Sequence, residues 1–144
     1  MAEDGHYRRL EHLYDTAPVT RWFGAAISVT DGHATVRMPV RSEFYHAARA
    51  VHGAIYFRAL DDAAFFAANS RVTDVLVLTV SFVVHFTAPV SEGELLALGR
   101  VVHESGRLLV AESELRDDAG RLLAKGSGTF IRSRILLTAD IGYA

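Results

Sequence analysis

Three hydrophobic periodicities succeed one another along this chain. Residues 4–16 are polar, with Tyr7, Leu10, Leu13 and Tyr14 at helical spacing, which predicts a short amphipathic helix. Pro18 stops it, and Trp22-Phe23-Gly24 reads as an apolar loop capping the core. From Ala25 to Val40 the period shortens to two. Ile27 and Val29 alternate with Ser28 and Thr30, Asp31-Gly32 supplies a two-residue turn, and Ala34, Val36 and Met38 resume the alternation of a hairpin. Pro39 marks an edge or the end of the return strand. Residues 53–69 carry six alanines and only Ile55 as a β-branched residue, which favours helix. Apolar residues on nearly every side of that helix predict burial rather than a surface position, over a length of about 26 Å. Strand patterns then fill 75–87, 93–104, 108–116 and 122–133. Turn chemistry at Ser105-Gly106 and Asp117-Asp118-Ala119-Gly120 suggests an antiparallel meander. Residues 134–144 carry no clear pattern.

The order is therefore helix, two strands, buried helix, four strands, in one α+β domain spanning 1–144. A helix buried on every side cannot be covered by one flat sheet face. A long curved antiparallel sheet wrapped around it would cover it, with a partner subunit closing the remainder. At 144 residues and 50% apolar, the chain can bury a core of its own. It has no cysteine, which excludes disulfides and thiolate chemistry. Fifteen basic against 17 acidic residues, a formal charge of −2, argue against a general nucleic-acid binder. No apolar run reaches the roughly 18 residues of a membrane span, since Arg58, Asp61 and Asp62 interrupt the longest candidate. The opening residues show no signal-peptide pattern. The expectation is a cytoplasmic protein with no membrane or nucleic-acid partner.

Chemistry enters where the central helix breaks its apolar character. Asp61 and Asp62 lie between Leu60 and Ala63-Ala64-Phe65-Phe66. Adjacent helical residues point about 100° apart, so one site takes at most one of the two carboxylates. Arg58 is placed to pair with Asp62 at i,i+4, which leaves Asp61 without a local cation. A desolvated carboxylate without a cation has a raised pKa, as catalytic bases often do. At the start of the same helix, His52-Gly53-Ala54 offers unpaired amides and a positive dipole end, suited to an oxyanion. No two histidines and a carboxylate share metal-ligand spacing, and no phosphate loop, dinucleotide fingerprint or Gly-x-Ser-x-Gly elbow occurs. Neither metal nor cofactor is expected.

The segment Val51-His52-Gly53-Ala54-Ile55-Tyr56-Phe57-Arg58-Ala59-Leu60-Asp61 resembles the His-Gly-Gly…Asp signature of hotdog-fold acyl-CoA thioesterases. The phenylacetate-degradation type within the 4-hydroxybenzoyl-CoA thioesterase superfamily, with Asp nine positions after His, is the nearest pattern. Thr79-Val80-Ser81-Phe82-Val83-Val84-His85-Phe86-Thr87-Ala88-Pro89-Val90 and Gly93-Glu94 resemble that family's third strand and the turn after it. Asp-Ala-Gly and Ala124–Phe130 resemble its closing hairpin, so the likeness spans about residues 25–133. The resemblance implies a hotdog fold and hydrolysis of an acyl-CoA thioester, with CoA present only as part of the substrate. It implies Asp61 as general base or nucleophile, Gly53 as the oxyanion amide and Thr79 as the holder of the attacking water. His46 stands where the family usually has an Asn that polarises the thioester carbonyl. Ala54 replaces the second Gly of the motif and adds a methyl near the ligand. A histidine that donated only when protonated would make activity fall as pH rises. His52, Ala54, Tyr56, Phe57 and Phe65 would line the substrate site, the acyl group entering between two central helices.

Gly53 and Asp61 are eight residues apart, about 12 Å along the helix axis, so one helix cannot bring both to one reacting carbonyl. If both serve one reaction they come from different chains, which makes a homodimer the smallest active unit and a homotetramer the expected assembly. An acyl-CoA-binding or sensing protein without catalysis, and a hydratase or dehydratase on the same fold, are the alternatives.

Overall fold

The computed structural model describes residues 2–144. Helix α1 spans Ala2–Thr16 and α2 spans Pro18–Phe23; strands β1 (Ala26–Thr30) and β2 (His33–Pro39) follow. A 3₁₀ turn at Ser42–Phe44 leads to the long helix α3, Gly53–Asn69. Strands β3 (Val75–Phe86), β4 (Glu94–Glu104), β5 (Leu108–Arg116) and β6 (Leu122–Leu136) follow, and a second 3₁₀ turn covers Ala139–Ile141. The six strands form one antiparallel sheet in the order β1-β2-β4-β5-β6-β3. Its concave face wraps α3, so this is the expected hotdog arrangement. None of the described helices is long and apolar enough to cross a membrane.

Strict alternation explains how the sheet meets the helix. Leu95, Ala97 and Gly99 of β4, and Leu109, Ala111, Ser113 and Leu115 of β5, all point inward and are buried. Against them α3 turns a face of small residues, Ala59, Ala63, Ala64, Ala67 and Ala68, all at most 1% exposed. Small against small lets backbone approach backbone. A Cβ placed on Gly99 would lie 2.2 Å from the Ala63 carbonyl oxygen, and Ser113 Oγ donates to the Leu60 carbonyl at 2.8 Å. Gly99→Ala is accordingly expected to lower stability by about 1–3 kcal/mol by overpacking, read as a loss in urea midpoint.

Three local features differ from the pattern of the sequence. Trp22 and Phe23 end a helix rather than form a loop, because Pro18 sits at its first turn, where a missing N–H costs nothing. Gly24, at φ 66°, closes it. The meander holds only for β4-β5-β6. Strand β3 pairs with β6 at the far edge, because residues 87–93 form a crossing rather than a hairpin. That link bonds to the β6 side through Thr87 N–H and the Leu123 carbonyl, and to the β2 side through Val40 N–H and the Gly93 carbonyl. Finally, β6 continues to Leu136 because β3 extends its ladder, Val75 pairing with Leu136.

Candidate active site

Helix α3 is buried on all but one stripe. Its residues that keep access to solvent are Gly53, Ala54, Phe57, Arg58, Asp61 and Phe65, while the rest are covered by the sheet or the N-terminal helices. Positions 54, 57, 61 and 65 stack on one face, so Asp61 stands in the middle of the uncovered side.

Asp61 is held from the sheet. Thr79 Oγ1 donates to Asp61 Oδ1 at 2.9 Å. The ladder between β3 and β6 shifts register between Thr79 and Ser81, so inward-facing residues change from Val77 and Thr79 to Phe82 and Val84. The bulge aims the Thr79 hydroxyl at the helix before the strand resumes its alternation. Asp61 makes no ion pair among the described residues. Burial raises its pKa above the ordinary carboxylate value, and the Thr79 hydrogen bond and the charge of Arg58 only partly offset that.

Asp62 is held differently. Arg58 Nε donates to Asp62 Oδ2 at 2.6 Å, and the Tyr14 hydroxyl donates to the same oxygen at 2.8 Å. The guanidinium also lies 4.7 Å from the Phe23 ring centroid. The i,i+4 pair expected from the sequence is therefore present and is tied to both N-terminal helices. Burial is the dominant influence on Asp62, and despite Arg58 and Tyr14 its pKa rises to about 6. Burial works against the Arg58 cation too, but Asp62 outweighs it and the Arg58 pKa is raised.

The sign of the consequence follows. Between the unfolded value of 3.8 and about 6, the folded chain holds the Asp62 proton more tightly than the unfolded chain does. The contribution of this group to stability therefore falls as pH rises through that window. Asp62→Asn should flatten the dependence of Tm on pH between 4 and 6; an unchanged slope would count against the shift.

The other candidates gather at the start of α3. His52 is the N-cap, its Nδ1 accepting from Ala54 N–H at 2.9 Å while its carbonyl accepts from Ile55 N–H. Neither bond uses the Gly53 N–H. The Phe86 ring lies over Gly53, with an atom 3.0 Å from where a Cβ would be. His46 sits in the turn before the helix, its ring centroid 6.5 Å from that of His52. Its Nδ1 accepts from Ala48 N–H at 3.0 Å. With Nδ1 accepting, a neutral His46 carries its proton on Nε2. It can then donate as the neutral imidazole.

These groups face two separate hollows. Gly53, His46, Tyr56 and Phe86 border one of about 470 Å³. Asp61, Thr79, Arg58 and Phe65 border another, open hollow of about 350 Å³, with Leu13 and Val19 of the N-terminal helices, Ala17 between them, and Leu76 and Leu78 of β3 along its sides. Of the five expected substrate-lining residues only Tyr56 and Phe65 border a hollow, one each, while His52, Ala54 and Phe57 border neither. Tyr56 belongs to the first, with its hydroxyl donating to the Ala88 carbonyl at 2.8 Å; Phe65 belongs to the second. Phe57 lies against the Phe82 ring, centroids 5.5 Å apart, and lines neither. The N-terminal wall was not visible as a site in sequence, because Leu13 and Tyr14 carry the same helical spacing as any core-facing residues.

The model of the thioesterase superfamily matches residues 49–124, from just before the helix to the start of β6. This chain belongs to the thioesterase superfamily. Its chemistry at the family level is thus thioester hydrolysis. A protein of Saccharolobus solfataricus named "Putative esterase" is 30% identical over 104 residues, 72% of this chain and 74% of that one. The PaaI protein from the phenylacetic acid degradation operon of E. coli superposes with a TM-score of 0.87 at 21% identity. The match covers 96% of this chain and all of that one. A conserved protein of Pseudomonas aeruginosa superposes with a TM-score of 0.78 at 28% identity, covering 83% and 97%. The match to the superfamily includes Gly53 and Asp61 but neither N-terminal helix.

Proposed function

We propose that this thioesterase hydrolyses an acyl-CoA in a homodimer whose protomers each give half of every active site. Asp61 takes a proton from water through Oδ2 while Thr79 holds Oδ1. The oxygen of that water bonds to the thioester carbonyl carbon, and the resulting oxyanion rests on the Gly53 N–H of the other chain. Collapse of the tetrahedral intermediate breaks the C–S bond, and the CoA thiolate takes the proton from Asp61. His46 and His52 assist from the amide side through Nε2–H.

One observation carries this reading. The carboxylate and the amide open onto different hollows of one protomer, although thioester hydrolysis requires both at one carbonyl. What lies between them supports the same conclusion. The uncovered stripe of α3 runs beside β3, an edge strand of 12 residues. On β3, Val80 and Val83 are 54% and 58% exposed, and a long exposed apolar edge invites strand pairing. A two-fold axis near the middle of that edge would lay one α3 antiparallel to the other and set each Gly53 near the partner's Asp61.

Release of free CoA thiol from a panel of acyl-CoA esters tests the reaction, with sedimentation of the active species testing the assembly. Thiol release by a dimer or larger assembly is the expected result. Tight acyl-CoA binding without release, addition of water across an enoyl-CoA double bond instead, or full activity in a monomer would each overturn it.

A further inference from the structure

The hollow beside Asp61 has a wall that comes from outside the part of the chain matched to the superfamily. Leu13 belongs to α1, Ala17 to the joint between the helices and Val19 to α2, whereas the superfamily match begins at residue 49. Phe65, Leu76 and Leu78 make the opposite side, so the lining is apolar apart from the edge where Asp61 stands. Among the described residues that line it, Arg58 is the only cation, and it is already bound to Asp62. The Tyr14 hydroxyl is committed to the same carboxylate. Thr20 Oγ1 has no hydrogen-bond partner but is shut away from solvent, so it presents no polar group to the cavity surface.

The wall is also fixed in place. Tyr14 of α1 and Phe23 of α2 both meet the Arg58–Asp62 pair on α3. Leu10 and Tyr14 are at most 2% exposed in a cluster with Phe66 and Val29. A wall latched at a carboxylate and packed into a core limits what fits beside it.

We propose that the two N-terminal helices are the acyl-selecting element: the hollow whose wall they form beside Asp61 receives an uncharged alkyl or aryl acyl group and limits its size on that side. The inference rests on the acyl-CoA reading above and adds where the acyl group lies and what bounds it. An acyl group ending in a second carboxylate is disfavoured. It would lie beside the Asp61 carboxylate, where the cation among the described lining residues, Arg58, already pairs with Asp62.

The test compares kcat/KM over CoA esters of acetate, longer straight-chain acids, an aryl-acetic acid and a dicarboxylic half-ester. Ala17 has extended backbone, φ −64° and ψ 129°, and is not fully buried, so Ala17→Phe fills the cavity without straining the chain. Its kcat/KM for the longest and the aryl esters should fall roughly tenfold or more relative to its kcat/KM for the acetyl ester. Val19 is 49% exposed, so Val19→Ala enlarges the cavity at little cost to the fold and should move the optimum to longer chains. Thermal melting of each variant confirms that it is folded. Thioester cleavage with a chain-length profile indifferent to both substitutions, or preference for the dicarboxylic half-ester, overturns this inference alone. No cleavage of any ester by the wild-type protein overturns the acyl-CoA reading together with it.

Discussion

Asp61→Asn should lower kcat for thioester hydrolysis by about 10²–10⁴-fold, the usual contribution of a positioned base, with KM little changed. The amide keeps the size of the carboxylate and can still accept from Thr79 Oγ1, which donates to Oδ1 at 2.9 Å in the wild type. The loss therefore reports the missing base rather than a rearranged site. The pH profile gives a second reading. A base works as the carboxylate, so activity should rise with pH through the Asp61 pKa. Burial places that rise above the ordinary carboxylate range. The rise should be absent from whatever activity Asp61→Asn retains. Thr79→Val should move the rise to still higher pH, because the hydrogen bond it removes favours the ionised form, whereas Thr79→Ser should restore it. Residual activity of Asp61→Asn above about a tenth of wild type would be too high for the loss of a base. A purely structural role for Asp61 would lower the melting temperature without moving the acid limb.

The contrast between the two adjacent acids shows what a sequence can and cannot disclose about such a site. Spacing alone paired Arg58 with Asp62 and left Asp61 free, because i,i+4 geometry is local. The partner that Asp61 does have, Thr79, lies 18 residues away on a strand and reaches it only through a bulge. Periodicity does not encode a bulge; Thr79 was legible only through family resemblance. The same division runs through the fold. Helix α3 was readable because its alanines and its scarcity of β-branched residues act locally, and strand positions followed from alternation and turn residues. The place of β3 at the sheet edge was not readable. It depends on residues 87–93 crossing from β6 to the side of β2, a choice made by the wrapped sheet as a whole. Trp22 and Phe23 read as a loop because Pro18, which does end α1, also opens a second helix well at its first position. The N-terminal wall of the acid's cavity had no sequence signal. Leu13, Ala17 and Val19 become a site only when α1 and α2 fold across Asp61.

Two inactive variants should restore each other. Gly53→Pro removes the one amide assigned to the oxyanion while suiting the helix. Proline is favoured at the first helical position, and His52 before it already has φ −64° and ψ 141°, as a residue preceding proline prefers. Loss of that donor should lower kcat by about 10²–10³-fold. Gly53→Ala is the control, because it keeps the N–H and adds the same Cβ against Phe86, whose ring is 58% exposed and free to yield. It should retain far more activity than the proline variant. Gly53→Pro and Asp61→Asn are then expressed together. In the mixed dimer one site takes Gly53 from the Asp61→Asn chain and Asp61 from the Gly53→Pro chain, and so carries both wild-type groups. The other site carries both substitutions. With random pairing half of the dimers are mixed, so about a quarter of wild-type activity should return. Sites built within single chains would give none, since each chain then carries one lesion of its own. Restoration thus reads directly whether the acid and the amide meet across the subunit boundary. Its absence, with mixed dimers demonstrated by a tag on each chain, would place the reaction in a single protomer and leave the two hollows without a common substrate.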